Sequence, residues 1–175
     1  MKRLVTGALL AGGTMLAFSV AAAMPAAAAT SGSETFSGTI VTSGVSGTRT
    51  VISSVVVAKG VFSGVGHVVE LPGLPGDPNN VSRDDLVFPA GTMHLVSTNV
   101  GISFSINPNC LANATIQQTA VIIGGTGQFA AATGDFSATI GGPALLARNP
   151  DGSCSFTQPP LHEEAMFTDT GTLSF

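Results

Sequence analysis

The run Ile122-Ile123-Gly124-Gly125-Thr126-Gly127-Gln128-Phe129-Ala130-Ala131-Ala132-Thr133-Gly134-Asp135 is the densest glycine cluster of the chain. Thr115 to Ile123, before it, reads as a strand. After it, Phe136, Ala138 and Ile140 alternate with Asp135, Ser137 and Thr139, the period of a half-buried strand. Within the cluster, Gly125 to Ala130 matches G-x-G-x-x-A, the dinucleotide fingerprint. That fingerprint works by opening a helix whose N-terminus faces a pyrophosphate. Here Gly134-Asp135 and a new strand follow almost at once, so a βαβ unit has no room. The glycines instead supply positive φ in a tight connection, with Phe129 packed beneath it. The stretch predicts a strand–turn–strand junction.

The pattern extends in both directions. Phe36 and Ile40 share a face with Gly38, and Thr35, Ser37 and Thr39 share the other. Arg49 to Leu71 is rich in valine and too long for one regular strand, so it predicts two strands or one bent sharply at Gly60, Gly64 and Gly66. Pro72 to Asn80 is a loop, because its three prolines cannot donate to a ladder. Leu86 to Phe88 reads as a short strand or edge. From Thr92 to Asn107, Val96, Val100, Ile102, Phe104 and Ile106 share one parity. Ser153 to Thr157 reads as a short strand. In the last strand, Leu161 to Phe175, the residues Leu161, Ala165, Phe167, Leu173 and Phe175 share the inner parity. Many short strands with turn signals between them, and no amphipathic helix, predict an all-β fold. The expected architecture is an eight-stranded antiparallel β-barrel.

The first 29 residues predict a secretory signal peptide. Lys2 and Arg3 precede an apolar run, Leu4 to Val20, and an alanine-rich tail ends in an A-x-A site. The expected cut follows Ala29, with Ala23 as the alternative, leaving residues 30–175 as a single barrel domain. No other stretch approaches the ~20 apolar residues of a membrane helix, so no membrane association is expected after signal removal. Removing Lys2 and Arg3 leaves four Lys and Arg against ten Asp and Glu, a net charge of 4 − 10 = −6. A nucleic-acid partner is thereby excluded, because its phosphates would repel the chain. Charged residues are only 9% of the sequence, against roughly 25% in ordinary domains. Their place is taken by Gly, Ser and Thr among recurring Val, Ile and Phe, which argues against disorder and for a secreted β protein. Trp and Tyr are absent, which weighs against sugar recognition by ring stacking.

Cys110 and Cys154 are the two cysteines, and in a secreted chain they pair most simply as a disulfide. A catalytic or metal-binding thiol pair is the alternative. A bridge between them would close a long loop and contribute about 4 kcal/mol in the chain-entropy model. His162-Glu163-Glu164, His67 and His94 lack zinc spacing, and adjacent strand residues face opposite sides, so no metal and no cofactor is expected. No G-x-S-x-G motif or Ser-His-Asp order supports hydrolase chemistry. Asn80-Val81-Ser82 and Asn113-Ala114-Thr115 are formal glycosylation sequons, relevant in a eukaryotic secretory route.

The glycine run also resembles the G-G-T-G-x-F-x-x-A-x-G signature of the allene oxide cyclase and dirigent protein superfamily. Gly124, Gly125, Thr126, Gly127, Phe129, Ala132 and Gly134 carry the resemblance, which covers about a dozen residues. In that superfamily the motif joins two late strands of an eight-stranded barrel. The chain is similar to its small secreted bacterial members. The resemblance implies an apolar barrel cavity and a homotrimer. The known activities are cyclisation of an unstable fatty-acid epoxide and stereochemical steering of phenoxy-radical coupling, both without a cofactor. Catalytic positions do not carry over. By parity alone, Glu163 and Asp169 share the inner face of the last strand, and His94 shares that of Val96, Ile102 and Phe104 if the strand is continuous. These three are the candidates for a functional interior, against the simpler reading that they lie at wet barrel ends. Two functions remain open: a container for a small apolar molecule, with cyclase-like or dirigent-like steering, or a non-enzymatic secreted module whose barrel is filled.

Overall fold

The computed structural model describes residues 29–175. The predicted signal peptide, Ala29 apart, lies outside the described residues. Eight strands follow one another: β1 (Ser31–Ser43), β2 (Thr50–Gly60), β3 (Ser63–Leu71), β4 (Val81–Phe88), β5 (Gly91–Ile106), β6 (Leu111–Gly125), β7 (Thr133–Leu145) and β8 (His162–Ser174). Each pairs antiparallel with the next, and β8 pairs back onto β1, so the barrel is closed. Closure removes sheet edges. Among the described residues the single helical element is a 3₁₀ turn, Gly127–Phe129, between β6 and β7. Among the described residues no helix is long and apolar enough to cross a membrane.

Inner and outer residues alternate as period two requires. On β1, Glu34, Phe36, Ile40 and Thr42 are buried between more exposed Thr35, Ser37 and Thr39. On β8, Ala165, Phe167, Asp169 and Leu173 are buried and Glu164, Met166, Thr168, Thr170 and Thr172 are exposed. Small inward residues make room for large neighbours. A Cβ on Gly38 would lie 2.7 Å from the Phe167 ring that crosses it.

The two barrel ends differ. One collects the β2–β3, β4–β5 and β6–β7 turns and both ends of the domain, and it is packed with phenylalanines. Phe129 meets Phe62 at 4.9 Å and 81° and Phe175 at 5.3 Å and 75°, while Phe36 meets Phe136 at 5.2 Å. The two Phe129 pairs are edge-to-face, matching ring edge to ring face. The glycine run forms the lid of this plug. Gln128 N–H donates to the Ala90 carbonyl at 3.0 Å, Thr126 N–H to the Thr92 carbonyl at 2.8 Å, and Thr92 N–H to Thr126 Oγ1 at 3.1 Å. Gly127 has φ 58°, and a Cβ there would come within 2.5 Å of the Ala90 carbonyl oxygen. The turn thus lies flat on the β4–β5 turn and drives Phe129, fully buried, into the barrel.

The other end carries the long connections 72–80 and 146–161. Cys110 and Cys154 form a disulfide that ties the β5–β6 turn to the second of these. The thiol-pair alternative is thereby set aside. Thiol titration of the denatured, unreduced protein is expected to find no free thiol; two reactive groups would contradict the bridge.

Four details differ from the sequence reading. β4 begins at Val81 rather than Leu86, and closure leaves it no free edge. Ser153–Thr157 is not a strand but makes one bridge, Arg148 with Cys154. In β5 an irregularity between Asn99 and Gly101 inserts Val100 without a partner on β6. Such a bulge reverses the parity. Met93, Leu95 and Ser97 therefore point inward, and His94 and Val96 point outward. Beyond the bulge, Ile102 and Phe104 lie opposite inward-facing Ile116 and Ala114, but β4 has already ended, so they stand exposed past the rim at 64% and 65%.

Candidate functional site

The interior opposite the aromatic plug is hollow. A cavity of about 370 Å³ opens at the end carrying the long connections. Its apolar wall includes Ile40, Ile116, Ile140, Ala144 and Ala165, supplied by β1, β6, β7 and β8. Asn79 and Asn80 of the proline-rich connection lie at its edge. That connection is held by Arg83, which makes two hydrogen bonds to Asp77 at 2.8 and 3.0 Å. The guanidinium holds the Asp77 carboxyl down at about 2, helped by the Leu74 N–H.

Polar groups gather at the mouth. Arg49, just before β2, pairs with Glu70 of β3 and, at 3.2 Å, with Glu163 of β8. Thr42 Oγ1 donates to the same Glu163 oxygen at 3.1 Å. Gln118 of β6 donates to Asn99 Oδ1 at 2.6 Å. Deeper, a narrow extension of about 40 Å³ is lined by Asp84, Ser97, Gln118, Asp169 and apolar residues including Leu86 and Phe167. Ile40, Asp84, Gln118 and Ile140 line both spaces, so the two adjoin.

Two carboxyls therefore face the inside of the barrel below the mouth. Asp169 stands opposite Phe36 on β1 and Ala138 on β7, at the boundary between plug and cavity. It is 6% exposed and makes no hydrogen bond or ion pair. Burial, then the charge of Asp84, pushes its carboxyl up to about 7. Asp84 lies directly opposite Glu70 in the register, and like charges in that position repel. Burial pushes Asp84 up to about 6, with Glu70 adding to the rise and Arg49 opposing it. Glu34 is buried too, at the plugged end, but it is satisfied, since it accepts the Phe62 N–H at 2.8 Å and the Thr35 N–H at 3.2 Å. Among the described residues no fully enclosed side-chain oxygen lacks a hydrogen bond, so the Asp169 carboxyl, which has no protein partner, still reaches the cavity. A carboxyl so poorly solvated is costly to ionise, and strongly shifted groups in clefts gather at functional sites.

The three sequence candidates do not come together. Asp169 lies deep in the interior, away from the wet barrel ends that the simpler reading assigns it. Glu163 lies at the mouth, engaged by Arg49 and Thr42. His94 lies on the outer surface, where Nδ1 is 2.7 Å from Asp85. The bulge at Val100 is the reason that it does not share the interior. Asp84 and Arg49 are the site residues that sequence reasoning missed. Asp84 has the parity of Leu86 and Phe88, a signal obscured because Ser82-Arg83-Asp84-Asp85 reads as polar loop. No group of three His, Cys, Asp or Glu side chains suited to a metal occurs among the described residues. Compared with family models, with curated proteins and with solved structures, the chain matches none.

Proposed function

We propose that this chain is a secreted barrel that holds a small, largely apolar molecule in its open half, with the shape of the cavity steering a cyclisation or coupling of the kind catalysed by allene oxide cyclases and dirigent proteins. The observation that carries the reading is the cavity of about 370 Å³, walled by Ile40, Ile116, Ile140 and Ala165. Ligand sites are usually concave, apolar and supplied with a few placed polar groups. Orientation alone can lower a barrier substantially, so such a reaction needs no cofactor. The N-terminal segment and the disulfide support secretion, and the glycine run supports the superfamily and its trimeric assembly.

Native mass spectrometry of protein purified from its own culture medium tests the reading, through a retained small molecule and the subunit number. Ala165, 6% exposed, lines the cavity, so Ala165→Phe is expected to abolish retention while the protein stays folded. His94→Ala is expected to leave retention unchanged, because that side chain faces outward. Unaltered retention in Ala165→Phe would remove the ligand from the barrel. The second reading, a non-enzymatic module, is favoured by the aromatic packing of the closed half and would prevail if no ligand is retained or taken up.

A further inference from the structure

We propose that Asp84 and Asp169 form a cation-recognition subsite, and that the molecule held in the barrel carries a protonated amine on an apolar body. This inference rests on the container reading above and narrows its ligand class. The first observation is Asp169 itself, 6% exposed, without a hydrogen bond or salt bridge, and lining the narrow inner cavity together with Asp84. The second is that no Lys or Arg of the described residues pairs with either carboxyl, Arg49 acting on Asp84 only from a distance. Arg49 is held by Glu70 and Glu163, and Arg83 by Asp77. Arg148 donates to the carbonyls of Gly152 and Pro108 at 2.7 and 2.8 Å. Lys59 is exposed and stands opposite Thr35, whose parity is outward.

The geometry selects among cations. An ammonium has three donors, and the inner cavity offers two carboxyls with Ser97 and Gln118 beside them. Leu86, Leu95 and Phe167 leave its surroundings otherwise apolar, which suits a single charged head on a hydrocarbon body. The inner space, about 40 Å³, admits a small head, and the adjoining outer space, about 370 Å³, receives the body. An anionic head is disfavoured in the inner cavity, which Asp84 and Asp169 line with no Lys or Arg, whereas at the mouth Glu70 and Glu163 are offset by Arg49. A metal ion would find two carboxylates but no third side chain of its usual kind among the described residues.

Calorimetric titration of the purified protein at pH 8 with hexylammonium, 1-hexanol and hexanoate tests the assignment. Hexylammonium is expected to bind at least tenfold more tightly than hexanol, and hexanoate more weakly than either. Asp169→Asn keeps the size of the side chain and removes its charge; in that variant the preference for the ammonium is expected to shrink to within about twofold, and Asp84→Asn is expected to act alike. Denaturant unfolding of each variant separates loss of binding from loss of fold. Hexanol binding as tightly as hexylammonium, or a preference that survives in Asp169→Asn, overturns the subsite but leaves the apolar container standing. Binding of none of the three probes overturns both.

Discussion

The Asp169→Asn variant is expected to be more stable than the parent at pH 8, by on the order of 4 kcal/mol, and to lose most of that advantage by pH 4. The cause lies in where Asp169 sits. Its carboxyl titrates at about 7 in the folded barrel and near 3.9 in an unfolded chain. A raised folded value means that the unfolded state releases the proton more readily. The contribution to stability is therefore fully present below about pH 4 and is lost as pH rises through 7. Each unit of difference corresponds to about 1.36 kcal/mol, and roughly three units separate the two states. Asp84, pushed up to about 6, acts in the same direction over a narrower window, and because the two carboxyls repel, their effects add to less than the sum. Asp77 has the opposite sign, its value lowered to about 2 by Arg83, so its contribution is lost only below about pH 4. The pair lies at the surface, only partly buried, and such a pair contributes little. Urea unfolding between pH 4 and 8 checks the result. The parent is expected to lose stability across that range, and the variant to show a much flatter profile. A parent equally stable at pH 5 and pH 8 would show that Asp169 is not held as an unpaired buried acid.

A carboxyl that weakens its own barrel at neutral pH asks for a reason. The rest of the interior obeys the usual rules, and even the buried Glu34 has both oxygens engaged by backbone N–H groups. Natural sequences tend to break local rules where function demands it. A bound cation would relieve the cost that Asn removes by substitution. Parent protein at pH 8 is thus the state in which a ligand amine would raise stability most.

Much of the barrel is legible in the sequence because its strands alternate strictly. β1 and β8 show their inner faces through Phe36 and Ile40, and through Ala165, Phe167 and Leu173. The glycine run shows its turn because Gly127 needs a positive φ and a following strand leaves no room for a helix. Legibility fails where the alternation is broken by geometry or by function. One extra residue at Val100 reverses the parity of β5, and nothing in the apolar pattern marks it, since Val96 and Ile102 look alike on paper although they face opposite sides. β4 is hidden for the other reason. Its inward positions near the mouth are Ser82 and Asp84 instead of apolar residues, so the hydrophobic signal disappears at the very residues that build the candidate site. The Arg49 cluster could not be read at all, because Glu70 reaches it through the β2–β3 register and Glu163 only by closure of the barrel.

The closed end should dominate stability in the way that the open end should dominate ligand binding, and Phe129→Ala separates the two. Phe129 is fully buried and meets Phe62, Phe88 and Phe175 at ring separations of 4.9, 6.1 and 5.3 Å. Truncating a buried phenylalanine costs about 3–5 kcal/mol, from the lost transfer energy and the cavity left behind. The surroundings cannot collapse easily, because the turn that carries Phe129 is fixed by backbone hydrogen bonds to Ala90 and Thr92. The upper part of that range is therefore expected, with a fall in melting temperature on the order of 10 °C. The denaturant midpoint should drop while the slope stays constant, since the unfolded chain exposes nearly the same surface. Phe129→Leu, which keeps most of the volume, should lose much less. Under conditions where Phe129→Ala is folded, its affinity for whatever the parent binds should be unchanged, because Phe129 does not line the cavity. A loss below about 1 kcal/mol would mean that the plug is not what holds the barrel closed. A loss of ligand affinity in the folded variant would mean that the two ends are coupled, and the glycine motif would then have a role in binding as well as in architecture.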